Sequence, residues 1–374
     1  MPVSSPVPRG DTYDPSTGLP VQQDRRRGRG AQSNITGRYE RERRVETDDG
    51  WDSLEQLEAF ATQVREERAR RIITTNTSPD IGFNRSLNPY RGCEHGCIYC
   101  YARPTHAYLG YSPGLDFETK LTAKVNAAEA LEKEFSAPGY EPETLALGTN
   151  TDPYQPIERK YRITRSVLEV LERCNHPVGI VTKSALVLRD LDILSAMARK
   201  GLVKVAISVT TLDRRLARAM EPRASTPEKR LEAVEKLAAA GVPAAVMVAP
   251  VVPGLTDPEI EAILTRAKAA GATEAGYVLL RLPLEIADLF REWLEENFPD
   301  RARKVMSLVR STRGGKDYRA EWGERMRGTG PYAWQIGRRF EMAVHRLGLD
   351  RKHLRLRRDL FVKPVARGQQ LKLL

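Results

Sequence analysis

Between residues 83 and 285, short apolar segments alternate with segments whose apolar residues recur at helical spacing. This alternation is typical of strand–helix units around a parallel sheet, because helices then cover both faces of buried strands. The first strand is expected within 82–89, and the others at Thr144–Gly148, Val178–Thr182, Val203–Val209, Ala244–Ala249 and Glu274–Leu280. Helices are expected near 122–135, 163–173, 189–200, 227–240 and 257–270.

Six such units are fewer than the eight that close a barrel. The predicted fold class is therefore α/β, with a partial (β/α)6 TIM-like barrel over residues 83–285. Thr226 and Pro227 support one of the helix starts, since Thr is a favoured N-cap and Pro a favoured first helical residue.

The two flanks of the barrel have a different character. Residues 1–50 are rich in Pro, Gly, Ser, Asp and Arg, which predicts a disordered basic tail. Residues 51–82 are expected to contain a helical segment, with a helix over Ser53–Arg71. After Leu284 the pattern becomes helical and Arg-rich, so 286–374 is expected to form a helical, basic C-terminal subdomain.

The net charge of +11 permits contact with nucleic acid or another polyanion. The alternative is that the excess charge lies in flexible tails and on solvated helix faces. No apolar run approaches the roughly 18 residues of a membrane span, and the N-terminus lacks a signal-peptide pattern, so a cytoplasmic protein without membrane contact is expected. The basic residues of the C-terminal region are Arg338, Arg339, Arg346, Arg351, Lys352, Arg355, Arg357 and Arg358.

Three of the four cysteines, Cys93, Cys97 and Cys100, lie within eight residues in a C-x3-C-x2-C pattern that follows the first expected strand. In a reducing compartment this spacing indicates a metal or redox site. Three thiolates can ligate three irons of a 4Fe-4S cluster and leave the fourth iron open. Gly92 and Gly96 allow the backbone to wrap tightly around such a cluster.

A structural zinc site is the alternative, with His95 or His106 as a fourth ligand. The usual second pair of ligands is absent, which favours the cluster. Tyr99, one residue before the last cysteine, is expected near the adenine of a ligand bound beside the cluster, or else in the core. Cys174 stands alone and is expected to be a small buried apolar residue.

The cysteine loop, Asn88–Tyr101, resembles the motif of the radical S-adenosylmethionine (SAM) superfamily. The wider chain resembles the branch related to spore photoproduct lyase, through Ser208–Asp213, Glu221–Arg223 and Ala249–Asp257. The resemblance implies that SAM chelates the open iron and is cleaved reductively to a 5′-deoxyadenosyl radical, which abstracts hydrogen from a substrate. It also implies an electron donor such as flavodoxin or ferredoxin.

Ligands bind at the carboxyl ends of parallel strands, so the strand ends should hold SAM. The resemblance assigns the SAM amino group to the turn after the second strand and the carboxylate to Lys183. Ser208 and Thr210 would contact the carboxylate or ribose, and Val248, Ala249 and Pro250 the adenine. Each position also has a structural alternative, such as a turn, a solvated lysine or a backbone-satisfied hydroxyl. The turn residues are Gly148, Thr149, Asn150 and Thr151.

Photoproduct lyases use a cysteine just after the second strand as hydrogen donor, and Gly148–Pro156 contains none. Spore photoproduct repair by that route is therefore not expected, and Tyr101 and Tyr154 are the candidate catalytic hydrogen relays. The substrate is unidentified, with nucleic acid a candidate. The rival hypotheses are radical modification of a peptide, protein or small metabolite, and a metal-stabilised nucleic-acid-binding module without catalysis.

Four further charged residues are candidates for a place near the site. Glu221 and Arg223 are expected to form an ion pair that orders their loop, or else to contact substrate. Asp152 and Glu158 are candidates for the mouth of the cavity.

Overall fold

The computed structural model describes residues 26–40, 60–350 and 355–364. Its ten strands in these ranges are β1 Gln63–Glu67, β2 Ile73–Thr75, β3 Arg85–Leu87, β4 Tyr90–Arg91, β5 Lys120–Lys124, β6 Leu145–Leu147, β7 Val178–Thr182, β8 Val203–Ser208, β9 Ala244–Val251 and β10 Glu274–Leu279.

The main sheet has seven strands in the order β10-β9-β8-β7-β6-β3-β2. Six of them, from β3 to β10, are parallel, and β2 pairs antiparallel with β3 at the edge. These six strands fall where the apolar segments predict them, so the α/β fold with a partial (β/α)6 arrangement is confirmed.

Helices cover the sheet because each presents an apolar face to it. In α4, for example, Ile163, Val167, Leu168 and Leu171 are buried at helical spacing. Thr226 caps α7 as expected, with its side chain accepting from the amide of Lys229. The α-helices of the described residues are α1 Leu115–Thr119, α2 Ala127–Phe135, α3 Glu158–Tyr161, α4 Ile163–Arg173, α5 Leu191–Arg199, α6 Arg214–Met220, α7 Pro227–Ala239, α8 Ile260–Ala269, α9 Ile286–Asn297, α10 Pro299–Ser311, α11 Glu324–Arg327 and α12 Gly330–Leu347.

A second, three-stranded sheet in the order β1-β5-β4 was not foreseen. Its strand β5 occupies part of the helix expected over 122–135, and that helix begins only at Ala127. Its strand β1 lies within the helix expected over Ser53–Arg71, so the predicted helix is wrong for Gln63–Glu67. Residues 51–59 lie outside the described residues. The two strands pair in parallel although they are far apart in sequence, which local periodicity does not reveal.

The C-terminal helices pack directly on the barrel. The helix α12 contributes Ile336 and Phe340 to the core that the main sheet and its helices share. The helices α9 and α10 contribute Trp293 and Val305 to another core, which also contains Ile98 of the cysteine loop. The C-terminal region therefore helps to build the site. No helix among the described residues has the length and apolar character of a membrane span.

The expected disorder of residues 1–50 is wrong for Arg26–Glu40, while 1–25 and 41–50 lie outside the described residues. Within this segment Ala31 and Ser33 have no exposed surface. Its composition predicts disorder because it has little aliphatic side chain to bury. The structure instead holds it through polar contacts with residues distant in sequence.

Candidate active site

The part of the cysteine loop that follows β4 is held to other segments by two backbone hydrogen bonds. The amide of Cys93 donates to the carbonyl of Phe117 at 2.9 Å, and the amide of Ile98 donates to that of Met220 at 3.0 Å. Cys93 and Cys97 are buried, each 7% exposed, and Cys100 is half-buried. All three are free thiols. The three sulfur donors thus lie on one ordered loop and are largely shielded from solvent.

Two glycines let this loop fold back on itself. Gly92 and Gly96 have φ of +71° and +67°, and a Cβ at Gly96 would lie 2.6 Å from Glu118 Oε2. A side chain at either position would therefore be strained and would collide with the packed neighbour. The close wrapping expected of a loop around an inorganic cluster is present.

The donor set suits an iron–sulfur cluster. In the described ranges, no three His, Cys, Asp or Glu side chains are grouped as one metal ion would require. Thiolates that each ligate a different iron of a cluster need not converge on one point. Burial raises the pKa of Cys97 to about 12, and nearby Lys183 partly opposes this shift. A metal bound here would therefore have to supply the positive charge that stabilises the thiolate form.

The turn after β6 is bonded to the start of the cysteine loop. Thr151 Oγ1 donates to the carbonyl of Gly92 at 2.7 Å, and the amide of Asn150 donates to Asn88 Oδ1 at 3.0 Å. Thr149 Oγ1 is 3.3 Å from Asn88 Nδ2, and Gly148 opens the turn. The four residues expected to hold the SAM amino group therefore lie beside the cysteine loop.

Asp152 joins three segments of the site. Its carboxylate accepts from Thr182 Oγ1 at 2.6 Å and from the amide of Lys183 at 2.8 Å, and it lies 3.3 Å from His95 Nδ1. Burial alone would raise the pKa of Asp152, but His95 and the hydrogen bonds hold it at about 2. The ionised carboxylate thus ties the end of β7 to the cysteine loop, a role that the sequence pattern did not identify.

Glu221 is the centre of a second buried network. Its carboxylate accepts from Tyr99 OH, from Thr210 Oγ1 at 2.7 Å and from the guanidinium of Arg230. Burial opposes ionisation, but the charges of Arg230 and Lys183 keep the pKa of Glu221 below its ordinary value. This network fixes the aromatic ring before the last cysteine against the end of β8.

The expected pair of Glu221 with Arg223 is therefore wrong. Glu221 pairs with Arg230, one turn into α7, and Arg223 pairs with Glu94 at 2.8 Å. The helical spacing of α7 puts Arg230 on the buried face of that helix, and this is the sequence signal that indicated Arg230 as a buried partner for a carboxylate. Glu158 is also not at a cavity mouth, because it is fully buried and accepts from Tyr90 OH.

The other expected SAM contacts lie at neighbouring strand ends. Lys183 follows β7, with Nζ 5.6 Å from the centre of the Tyr99 ring. Ser208 ends β8, and its carbonyl accepts from Arg230 at 3.1 Å. Thr210 Oγ1 is 3.2 Å from the carbonyl of Ala249. Val248, Ala249 and Pro250 lie within the last half of β9, which runs on to Val251.

The two candidate tyrosines are in different surroundings. Tyr101 is 45% exposed, its hydroxyl donates to the carbonyl of Thr149, and Arg281 lies 5.1 Å from its ring centre. Tyr154 has no exposed surface and lies in the main core. Tyr101 is therefore the better placed of the two to reach a substrate. Cys174 is buried in the same core, as expected.

A parallel α/β partial barrel with three free thiols on a loop at its strand ends defines the class of this protein. The sequence model of the Radical SAM superfamily matches residues 87–267. The chain is 40% identical over 232 residues to an uncharacterized protein of Mycobacterium tuberculosis (strain ATCC 25618 / H37Rv), with 62% of this chain and 68% of that protein covered. It is 26% identical over 233 residues to an uncharacterized protein of Methanocaldococcus jannaschii, with 62% and 83% covered.

Among solved structures, a spore photoproduct lyase mutant with bound AdoMet and dinucleoside spore photoproduct matches with a TM-score of 0.52. The two chains are 17% identical, and the match covers 76% of this chain and 78% of that chain. This likeness shows a shared fold. The chain belongs to the radical SAM superfamily, and it shares its fold with spore photoproduct lyase.

Proposed function

We propose that this enzyme binds a 4Fe-4S cluster through Cys93, Cys97 and Cys100 and cleaves SAM reductively. The observation that carries the proposal is the three free thiols on a loop bonded to the segments after β6 and β8. When bound, the cluster and SAM supply one-electron chemistry that yields a 5′-deoxyadenosyl radical able to abstract hydrogen. An external electron donor, such as flavodoxin or ferredoxin, is required.

The residues of this chain position SAM. Backbone carbonyls of Gly148–Thr151 accept from its ammonium, and the positive charge of Lys183 pairs with its carboxylate. The charge of Lys183 already bears on Cys97 and Glu221, which supports a place beside the thiols. Ser208, at the end of β8, would contribute its hydroxyl. Thr210 acts through Glu221 and Ala249, so its role is to position the end of β8.

The substrate approaches past Tyr101. Arg281 lies between the rings of Tyr101 and Tyr318, 5.1 and 6.0 Å from their centres. A cation beside an exposed ring, Tyr101, and a half-buried ring, Tyr318, suits a substrate that combines π-faces with negative charge, and nucleic acid is the first class to test. Tyr101 is the candidate hydrogen relay.

The basic C-terminal residues give less support to nucleic acid than their number suggests. Arg339 pairs with Glu261 at 2.6 Å, Arg338 with Glu341 at 3.2 Å, and Arg357 with Asp359 at 2.6 Å. These charges are already partnered. Arg351 and Lys352 lie outside the described residues.

The test is anaerobic reconstitution with iron and sulfide, followed by reduction in the presence of SAM. We expect an iron–sulfur absorbance band and release of 5′-deoxyadenosine. Cys97→Ala should lose both, and Cys174→Ala is the matched control because its thiol lies in the distant core. Bound zinc without SAM cleavage would overturn the proposal.

SAM deuterated at the 5′ position, incubated with single-stranded DNA, RNA or peptides, would then identify the class of substrate that acquires label.

A further inference from the structure

Residues 26–40, here called the strap, run across the outer face of the cysteine loop. The strap contains no strand, so it is not held by a backbone ladder. Arg26 donates to Glu296 at 2.6 Å and Ser33 to Glu292 at 2.7 Å, which fixes the strap to α9. Asn34 exchanges two hydrogen bonds with Asp116 of α1. These polar anchors are accompanied by a small apolar contact, since Ala31 and Ile35 lie in the core that also contains Ile98.

One buried carboxylate connects the strap to the cysteine loop. Glu118 accepts from the amides of Gly30 at 2.9 Å and Ala31 at 2.8 Å. The same carboxylate accepts from Arg103 at 2.6 Å. Arg103 in turn donates to the carbonyls of Cys97 at 2.9 Å and Gly96 at 3.2 Å. A displaced strap thus leaves Glu118, and through it the loop between two cysteines, without part of its support.

The strap also touches the loop directly. A Cβ built on Gly30 would lie 1.8 Å from the carbonyl oxygen of Gly96, which is closer than any real contact. Gly30 does not have a left-handed backbone, so its lack of a side chain is required by this close approach alone. On the other side of the loop, Arg223 donates to the carbonyl of Gly28 at 3.2 Å and to Glu94 at 2.8 Å.

We propose that the strap seals the outer face of the cysteine loop against water and oxygen, and that Glu118 is the positioning residue that locks it. The inference rests on the cluster of the proposed function. A loop that holds an oxygen-sensitive cluster needs cover on the side away from the barrel, and the strap supplies it. Because the strap has a small apolar face and several discrete anchors, it can be loosened without removing the core.

The test uses Gly30→Ala, whose methyl group cannot be accommodated against Gly96. The matched control is Gly82→Ala, since a Cβ at Gly82 meets nothing within 4 Å and its backbone is not left-handed. The first readout is trypsin cleavage of the bond between residues 29 and 30 in the metal-free protein, followed by mass spectrometry. Arg29 is only 7% exposed, so this bond should be protected in the parent protein. We expect faster cleavage in Gly30→Ala, on the order of tenfold or more.

The second readout is the rate at which the reconstituted protein loses its iron–sulfur absorbance in air and with an iron chelator. Gly30→Ala should lose it faster, again by roughly tenfold, while Gly82→Ala follows the parent. Faster proteolysis with an unchanged rate of cluster loss would overturn the seal and leave the proposed function standing. Unchanged proteolysis would overturn the close packing itself. A parent protein that takes up no cluster would overturn the proposed function and the seal together, whatever the proteolysis shows.

Discussion

Arg103 and Glu118 form an ion pair of 2.6 Å in which neither side chain has any exposed surface. Arg103 uses its remaining donors on four backbone carbonyls, those of Gly96, Cys97, Pro113 and Gly114. Each of the three guanidinium nitrogens thus has a hydrogen-bond acceptor, which offsets the cost of burying two charges. The pair connects the cysteine loop, the helix α1 and the strap.

Replacing Arg103 with Ala should lower the free energy of unfolding by about 3–5 kcal/mol, because it leaves the buried carboxylate of Glu118 unpaired. Chemical denaturation of the metal-free protein measures this change. Arg68→Ala is the control, since it removes an ion pair with Glu129 whose two side chains are 70% and 71% exposed. That change should cost less than about 1 kcal/mol. Equal losses in both variants would contradict the special role of the buried pair.

The main sheet could be predicted, and the cysteine loop could be identified as a candidate site, because both signals are local. Most strands of the barrel are short apolar runs, as in Val178–Thr182, and the helices beside them have a helical apolar periodicity, as in α4. The spacing of the three cysteines by itself indicates a metal or cluster site. Neither inference requires knowledge of which distant residues meet.

The strap, β1 and the partner of Glu221 could not be predicted for the opposite reason. Gly30 is held by a carboxylate 88 positions away, and β1 pairs in parallel with β5 through a largely polar, exposed strand. Glu221 had a nearer arginine, Arg223, but the helical turn of α7 carries Arg230 inward instead. Composition contains no information about such pairings, and periodicity indicates only that Arg230 lies on a buried face of α7, without indicating which residue it meets.

Lys183→Met should weaken SAM binding to the reconstituted enzyme by roughly tenfold to a hundredfold, since a charge-assisted contact contributes about 1.5–3 kcal/mol. The apolar stem is retained, so packing beside Tyr99 changes little. Equilibrium dialysis with labelled SAM measures the affinity. Lys200→Met, at an exposed helix end, is the control. Unchanged affinity in Lys183→Met would remove this lysine from the SAM site, while the cluster absorbance of the same sample shows whether the cysteine loop is intact.

The pH dependence of stability should contain a contribution from His176. Burial lowers the pKa of His176 to about 4, although its Nδ1 lies 3.1 Å from the carbonyl of Pro177. The ring stacks on Phe135 at 4.5 Å and lies 2.9 Å from Tyr140 OH. The unfolded chain binds a proton below pH of about 6.5, while the folded chain does so only near 4. The contribution of neutral His176 to the free energy of unfolding is therefore fully present above pH 6.5 and is lost as the pH falls from 6.5 to about 4.

His176→Phe should flatten the loss of stability between pH 6.5 and 4, which in the parent amounts to about 2–3 kcal/mol. The variant also loses the contact with Tyr140, so its stability at pH 7 should be lower. Denaturation curves at several pH values measure both effects. Tyr140→Phe removes the same contact but keeps the buried imidazole, so this variant should retain the acid loss. A parent-like acid loss in His176→Phe would assign that loss to other groups.

Glu292, which accepts from Ser33 of the strap, should make strap docking depend on pH in the opposite sense. Burial raises the pKa of Glu292 to about 7, with Asp288 and Glu295 adding to the shift and Ser33 opposing it. Between pH 4.5 and 7 the unfolded chain releases this proton first, so stability falls as the pH rises through that window and is constant above it.

Glu292→Gln keeps an acceptor for Ser33 but carries no charge. It should therefore match the parent near pH 4.5 and be more stable than it at pH 8, by on the order of 1 kcal/mol. Denaturation at both pH values measures the difference, with Glu235→Gln, at an exposed glutamate of α7, as control. If the strap is the element affected, the bond between residues 29 and 30 should also be cleaved more slowly in Glu292→Gln than in the parent at pH 8. A variant that is no more stable at pH 8 would show that Glu292 is ionised in the folded chain at little cost.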